Sequence, residues 1–141
     1  MLTNRPYEQV IETQLSVQEC AHNFKEIVEI AMSGFKNRKA ARMAEAAGYN
    51  PGFYKPQADS SLDAFGGVLG DEANGGDSPA FEIAAYVPTY SGCLQGEGAH
   101  IHMYVWERGS SREVIISSRP TSRGHRLHAS KLHGRMAEAL A

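Results

Sequence analysis

Cysteine is scarce in this chain, and the two present, Cys20 and Cys93, stand too far apart for a disulfide framework or a Cys-x-x-Cys pair. That excludes a small disulfide-stapled scaffold and a thioredoxin-like redox site. Two reduced thiols are the expectation, with one 20-to-93 bridge as the open alternative. Long apolar runs are missing too. No stretch approaches the roughly 18 residues of a membrane-crossing helix, and the opening MLTNRPYEQVIETQL has neither the basic nor the apolar region of a secretion signal. The reading is a soluble, cytoplasmic protein with no membrane span. A strong positive balance is also lacking: the net charge of -2 provides no global attraction to nucleic acid or acidic membranes. Nucleotide-loop and G-x-S-x-G signatures are absent, and Gly92, Gly96 and Gly98 in YSGCLQGEG match neither phosphate-loop nor dinucleotide spacing. No cofactor is expected, and no residue is assigned as catalytic.

What is present is an ordinary globular composition, 42% apolar and 21% charged over 141 residues, enough for one hydrophobic core. No repeat or linker divides it, so residues 1–141 read as a single domain. The charge is segregated. From Asp59 to Glu97 there are seven acids and no Lys or Arg, whereas Arg108 to Arg135 carries seven bases against Glu113 alone. Such blocks neutralise one another across a fold or across a two-fold homodimer, or else the basic one forms an anion-binding surface.

Ser16-Val17-Gln18-Glu19 has the pattern of a capping box, and the stripe Val17, Cys20/Ala21, Phe24, Ile27/Val28 and Ala31 follows helical spacing. A helix is therefore predicted from Ser16, with Gly34 as its left-handed C-terminal cap. Tyr7 to Leu15 is predicted as a strand feeding it, against the alternative of one long helix from Pro6. Asn37 is expected to cap a second helix over 38–47. Residues 49–80, rich in Gly, Pro and acid, read as a long loop with one helical turn near 61–65. Within it Asp71 to Asp77 resembles a calcium loop, but Ala73 and Gly75 stand where ligands are needed. Strands are predicted at 81–87, 100–107 and 113–118, the last two forming a hairpin through Arg108 to Ser111. A helix over 122–140 would turn Leu127, Leu132, Met136 and Leu140 inward. The predicted class is α+β: an antiparallel sheet of three to five or more strands against two N-terminal helices and one long C-terminal helix.

That order, carried by VIETQLSVQECAHNF near the start and REVIISSRP…GHRLHASKLHGRMAEAL at the end, resembles the helix-grip (START-like, Bet v 1-like, SRPBCC) family. The resemblance implies a cavity between a curved sheet and the C-terminal helix that takes a small hydrophobic or amphipathic molecule. If Tyr7 to Leu15 were helical, the order would instead be similar to double-stranded-RNA-binding domains.

The run AHIHMYVWE at Ala99 to Glu107 alternates, placing His100, His102, Tyr104 and Trp106 on one face of a strand and Ile101, Met103 and Val105 on the other. Two histidines at this spacing can chelate a metal, with His125, His128 or Cys93 as candidate third donors. With Glu107 the run resembles the first cupin motif, yet strand parity turns Glu107 away. Tyr104 and Trp106 form an aromatic strip suited to lining a ligand pocket or to packing. The expectation is a non-enzymatic binding protein whose ligand meets His100, His102, Tyr104 and Trp106, flanked by Arg119, Arg123 and Arg126 and gated by residues 49–80. The alternative is a regulator or inhibitor that engages nucleic acid or a nucleoprotein partner through the basic C-terminal segment, and the third reading is a His-dependent metalloenzyme.

Overall fold

The computed structural model describes residues 7–56, 78–88, 98–120 and 126–141. Strand β1 (Tyr7–Thr13) leads into helices α1 (Val17–Met32) and α2 (Phe35–Ala46). Strands β2 (Gly52–Tyr54), β3 (Phe81–Pro88), β4 (Gly98–Arg108) and β5 (Ser111–Pro120) follow, and helix α3 (Arg126–Leu140) ends the chain. The five strands make one antiparallel sheet in the order β1-β5-β4-β3-β2, so the first strand closes against the last. The α+β class is thus as predicted, and β1 is a strand, which removes the order on which the RNA-binding resemblance depended.

The start of α1 follows from its capping box. The Glu19 amide donates to Ser16 Oγ at 3.0 Å while the Ser16 amide donates to Glu19 Oε1 at 2.9 Å, so two otherwise orphaned helix-end donors are satisfied. At the other end the expectation fails. Gly34 is not a left-handed cap but the N-cap of α2, with φ -68°, and α2 opens at Phe35 rather than Arg38. Asn37 lies inside that helix, where its side-chain amide donates back to the Ala31 carbonyl and so ties α2 to α1 instead of capping it. The β4–β5 hairpin is tighter than the four-residue loop expected. Strand pairing runs out to Arg108 and Ser111, and Gly109 makes the turn at φ 68°, a conformation suited to glycine. Part of the predicted acidic loop is β2, while the predicted turn at 61–65 and residues 122–125 of the last helix lie outside the described residues.

Strand parity sorts the sheet into two faces. Ile101, Met103 and Val105 of β4, with Val114 and Ile116 of β5, are fully buried against Cys20, Phe24 and Val28 of α1 and Leu132, Met136 and Leu140 of α3. Polar contacts fix this layer. Asn23 of α1 donates to the Ala139 carbonyl of α3 at 2.9 Å, and His133 Nδ1 meets Ser118 Oγ at 2.8 Å. Arg112 reaches from β5 to the Leu15 and Gln14 carbonyls, holding the β1–α1 connection.

Gly98 allows β3 and β4 to meet at their ends. It pairs with Pro88, and a Cβ there would lie 2.2 Å from the Val87 carbonyl oxygen and 2.7 Å from Pro88 Cα, both backbone atoms unable to swing aside. Gly98→Ala is therefore expected to lower the unfolding free energy by about 1–3 kcal/mol, the range for forced overpacking. Urea unfolding checks this, and an unchanged midpoint would show that the strand ends do not meet so closely.

Candidate functional site

The sheet face opposite the α1–α3 layer gathers the histidines. Its cross-strand rows are Arg119–His100–Tyr86 and Ser117–His102–Ala84, with Tyr54 of β2 opposite Ala84. Further along, Tyr104 faces Ile115 and makes a second, smaller cluster with Trp106, separate from the main core. The four residues read from the alternation of β4 do share a face, and it is the face away from the α3 packing. Between the sheet and the C-terminal helix, Ile101, Met103 and Ile116 are buried with no exposed surface.

Tyr54 organises the cluster. Its hydroxyl lies 2.8 Å from His100 Nδ1 and 2.9 Å from His102 Nε2, and His102 Nδ1 lies 2.9 Å from the Tyr104 hydroxyl. A phenol has one proton to give, so Tyr54 donates to one imidazole and accepts from the other. The chain Tyr104–His102–Tyr54–His100 is satisfied in either of two directions, both with neutral rings. His100 is stacked on Tyr86, with centroids 4.9 Å apart and planes 19° from parallel.

Electrostatics keep the rings neutral. Burial, and secondarily the neighbouring His100, push His102 down to about 3. Burial and then the Arg119 guanidinium lower His100, and burial raises the Tyr54 phenol, with Tyr104 adding to it. At neutral pH the cluster is an uncharged set of donors and lone pairs. Beside it Ser117 is fully buried, and its hydroxyl has no hydrogen-bond partner among the described residues.

Tyr54 also forms a wall of an open cleft of about 820 Å³. Strand β2 pairs only with Ala84 to Tyr86, and the cleft lies beyond its end, alongside Phe81, Glu82 and Ile83 of β3. Phe53, Pro79 and Phe81 make the lining partly apolar, and Lys25, Lys55 and Glu82 place charges on it. Among the cluster residues, Tyr54 alone belongs to the described lining.

The remaining candidates fall elsewhere. Trp106 is 3% exposed and packs with Tyr104 and Ile115, with the Arg108 guanidinium 6.0 Å from its ring centroid. Arg119 is half-buried beside His100. Arg126 opens α3, while Arg123, His125 and Cys93 lie outside the described residues. His128 does not join the histidine pair: it is half-buried on α3, and its Nε2 approaches the Val87 carbonyl at 3.3 Å. Glu107 is exposed and lies 4.0 Å from Arg112, away from the histidines as parity required. Among the described residues no group of three or more His, Cys, Asp or Glu is placed to hold a metal ion. Cys20 is a buried free thiol in the α1 layer.

Tyr54 and Tyr86 were not singled out in the sequence. The available signal was the aromatic pair Phe53-Tyr54, bracketed by Gly52 and Pro56 in a segment otherwise poor in strand formers. No helix among the described residues is long and apolar enough to cross a membrane. Comparison with protein-family models, curated proteins and solved structures found no match to this chain.

Proposed function

We propose that this chain is a non-enzymatic binding protein that holds a small, partly apolar molecule in the cleft at the end of β2, with Tyr54 as the residue joining cleft and histidine cluster. The observation that carries this reading is the double placement of Tyr54. The residue lines the cleft, and its hydroxyl is held by two neutral imidazoles. An apolar body against Phe53 and Phe81 with one polar group near Tyr54 fits the usual make-up of a small-molecule site, where apolar walls supply affinity and a few fixed polar atoms supply orientation. The element order, with two helices after the first strand and a terminal helix behind the sheet, supports a helix-grip-like reading. The site proposed here lies at the sheet edge, where the described cleft is, rather than beneath the last helix.

Native mass spectrometry of untagged protein from its own host, before and after denaturation, tests this. A small organic mass released on denaturation is the expected result. Phe53→Ala, at a position 41% exposed, should weaken retention about tenfold or more through lost ring contact while leaving the fold intact. A clean chain mass, or nucleic acid retained in a strongly salt-dependent way, would overturn the reading, the second outcome in favour of the basic C-terminal segment as a nucleic-acid surface.

A further inference from the structure

We propose that His100 Nδ1, His102 Nε2 and the Tyr54 phenol oxygen form a binding site for one borderline divalent transition-metal ion, Zn2+ or Cu2+, with its fourth position toward the cleft. The inference does not depend on the cleft holding an organic ligand. It starts from convergence: two ring nitrogens of β4 both point at the Tyr54 phenol oxygen of β2, at 2.8 and 2.9 Å. Tetrahedral coordination with bonds of about 2.0–2.1 Å sets donors about 3.3 Å apart, so each nitrogen–oxygen pair needs to open by roughly 0.5 Å. Tyr54 provides that freedom. It is the last residue of a three-residue edge strand and is 36% exposed.

The surroundings supply what a metal site needs beyond its ligands. A ligating imidazole is oriented by the bond its other nitrogen makes, and His102 Nδ1–H has the buried Tyr104 hydroxyl at 2.9 Å as acceptor. His100 is clamped by its stack on Tyr86. Ser117, buried opposite His102, provides an unpartnered hydroxyl beside the site. Two imidazoles are borderline donors and the phenolate a hard one, and the imidazole pair favours Zn2+ and Cu2+ over Ca2+ or Mg2+. On binding, the Tyr54 oxygen bonds to the cation and its hydroxyl proton leaves to solvent, so uptake releases one proton for each ion.

Titration of the untagged full chain with Zn2+ at neutral pH, in two buffers of different ionisation enthalpy, tests the proposal together with imidazole NMR of the same sample. One ion bound per chain, about one proton released, and ring signals of His100 and His102 shifting are the expected results. His102→Gln should bind at least 100-fold more weakly, Tyr104→Phe about 10- to 100-fold more weakly, and Tyr54→Phe should bind more weakly without the released proton. The wild-type ring signals decide the matter even where a variant fails to fold. Absence of saturable uptake overturns the proposal. So do shifts confined to His22, His125, His128 or His133, or an undiminished proton release in Tyr54→Phe.

Discussion

Phe24→Ala is expected to lower the unfolding free energy by about 3–5 kcal/mol, the range for removing a large aromatic ring from a well-packed core. Phe24 has no exposed surface and sits in the middle of the buried stripe of α1, between Cys20 and Val28. Its ring lies 6.3 Å from that of Phe53, so it supports β2 as well as the central sheet. Because α1 also packs against α3, the void left by the ring cannot be closed by a shift of one helix alone. A domain of this size loses a few degrees of melting temperature per kcal/mol, so the midpoint should fall by roughly 10 °C or more. Ile30→Ala is the matched control on the same helix. Ile30 is 55% exposed, and its truncation should change stability by no more than about 0.5 kcal/mol. Urea unfolding of both variants tests the packing directly, and a similar small loss in the two would mean that α1 does not bury the face assigned to it.

The contrast between Phe24 and Tyr54 shows where sequence reasoning succeeds and where it stops. The capping box at Ser16 and the spacing of Cys20, Phe24 and Val28 are local, so α1 and its buried face can be read before any tertiary contact is known. Alternation in β4 is equally local, and it correctly grouped His100, His102, Tyr104 and Trp106. It cannot say which of the two groups meets the helices. Both faces of β4 are rich enough in apolar or aromatic side chains to be buried, and Met103 and Tyr104 are in fact almost equally hidden. The choice is made by α1 and α3, whose apolar stripes take the aliphatic face. Strand β2 is shorter still: three residues become a strand only because Ala84 to Tyr86 offers them a partner about thirty residues away in sequence. Without that partner the sequence around Tyr54 reads as loop, so nothing local marks Tyr54 as the residue that links the two histidines. Gly34 fails for a related reason. A glycine after a helical stripe commonly takes the left-handed cap, but here the chain restarts a helix at once and uses the glycine in an extended conformation as the next N-cap.

Acid should destabilise the metal-free protein through His102. In the unfolded chain an imidazole takes up its proton near pH 6.5, whereas in the folded state burial and the neighbouring His100 hold His102 down to about 3. Between those values the unfolded state binds one proton more than the folded state, so stability is fully present above about pH 6.5 and declines as the pH falls. The slope is about 1.4 kcal/mol per pH unit, which amounts to roughly 4–5 kcal/mol at the low end of the window. The titratable and charged groups near His102 on this face include Tyr54, Tyr86, Tyr104, His100 and Arg119, with Glu8 across Ser117 and Glu82 opposite Tyr104. His100 and His133 are also lowered by burial and act in the same direction, so the whole-protein slope is steeper than one histidine accounts for. His102→Gln isolates the effect, because glutamine can keep a hydrogen bond to Tyr54 or Tyr104 but does not titrate. Unfolding free energies measured in the presence of a chelator at intervals from pH 7 to pH 4 should fall less steeply in the variant, by about one proton between pH 6 and pH 4. Parallel curves for the two proteins would mean that the folded state protonates His102 as readily as the unfolded chain does. The Tyr104–His102–Tyr54–His100 chain could not then be a network of neutral rings.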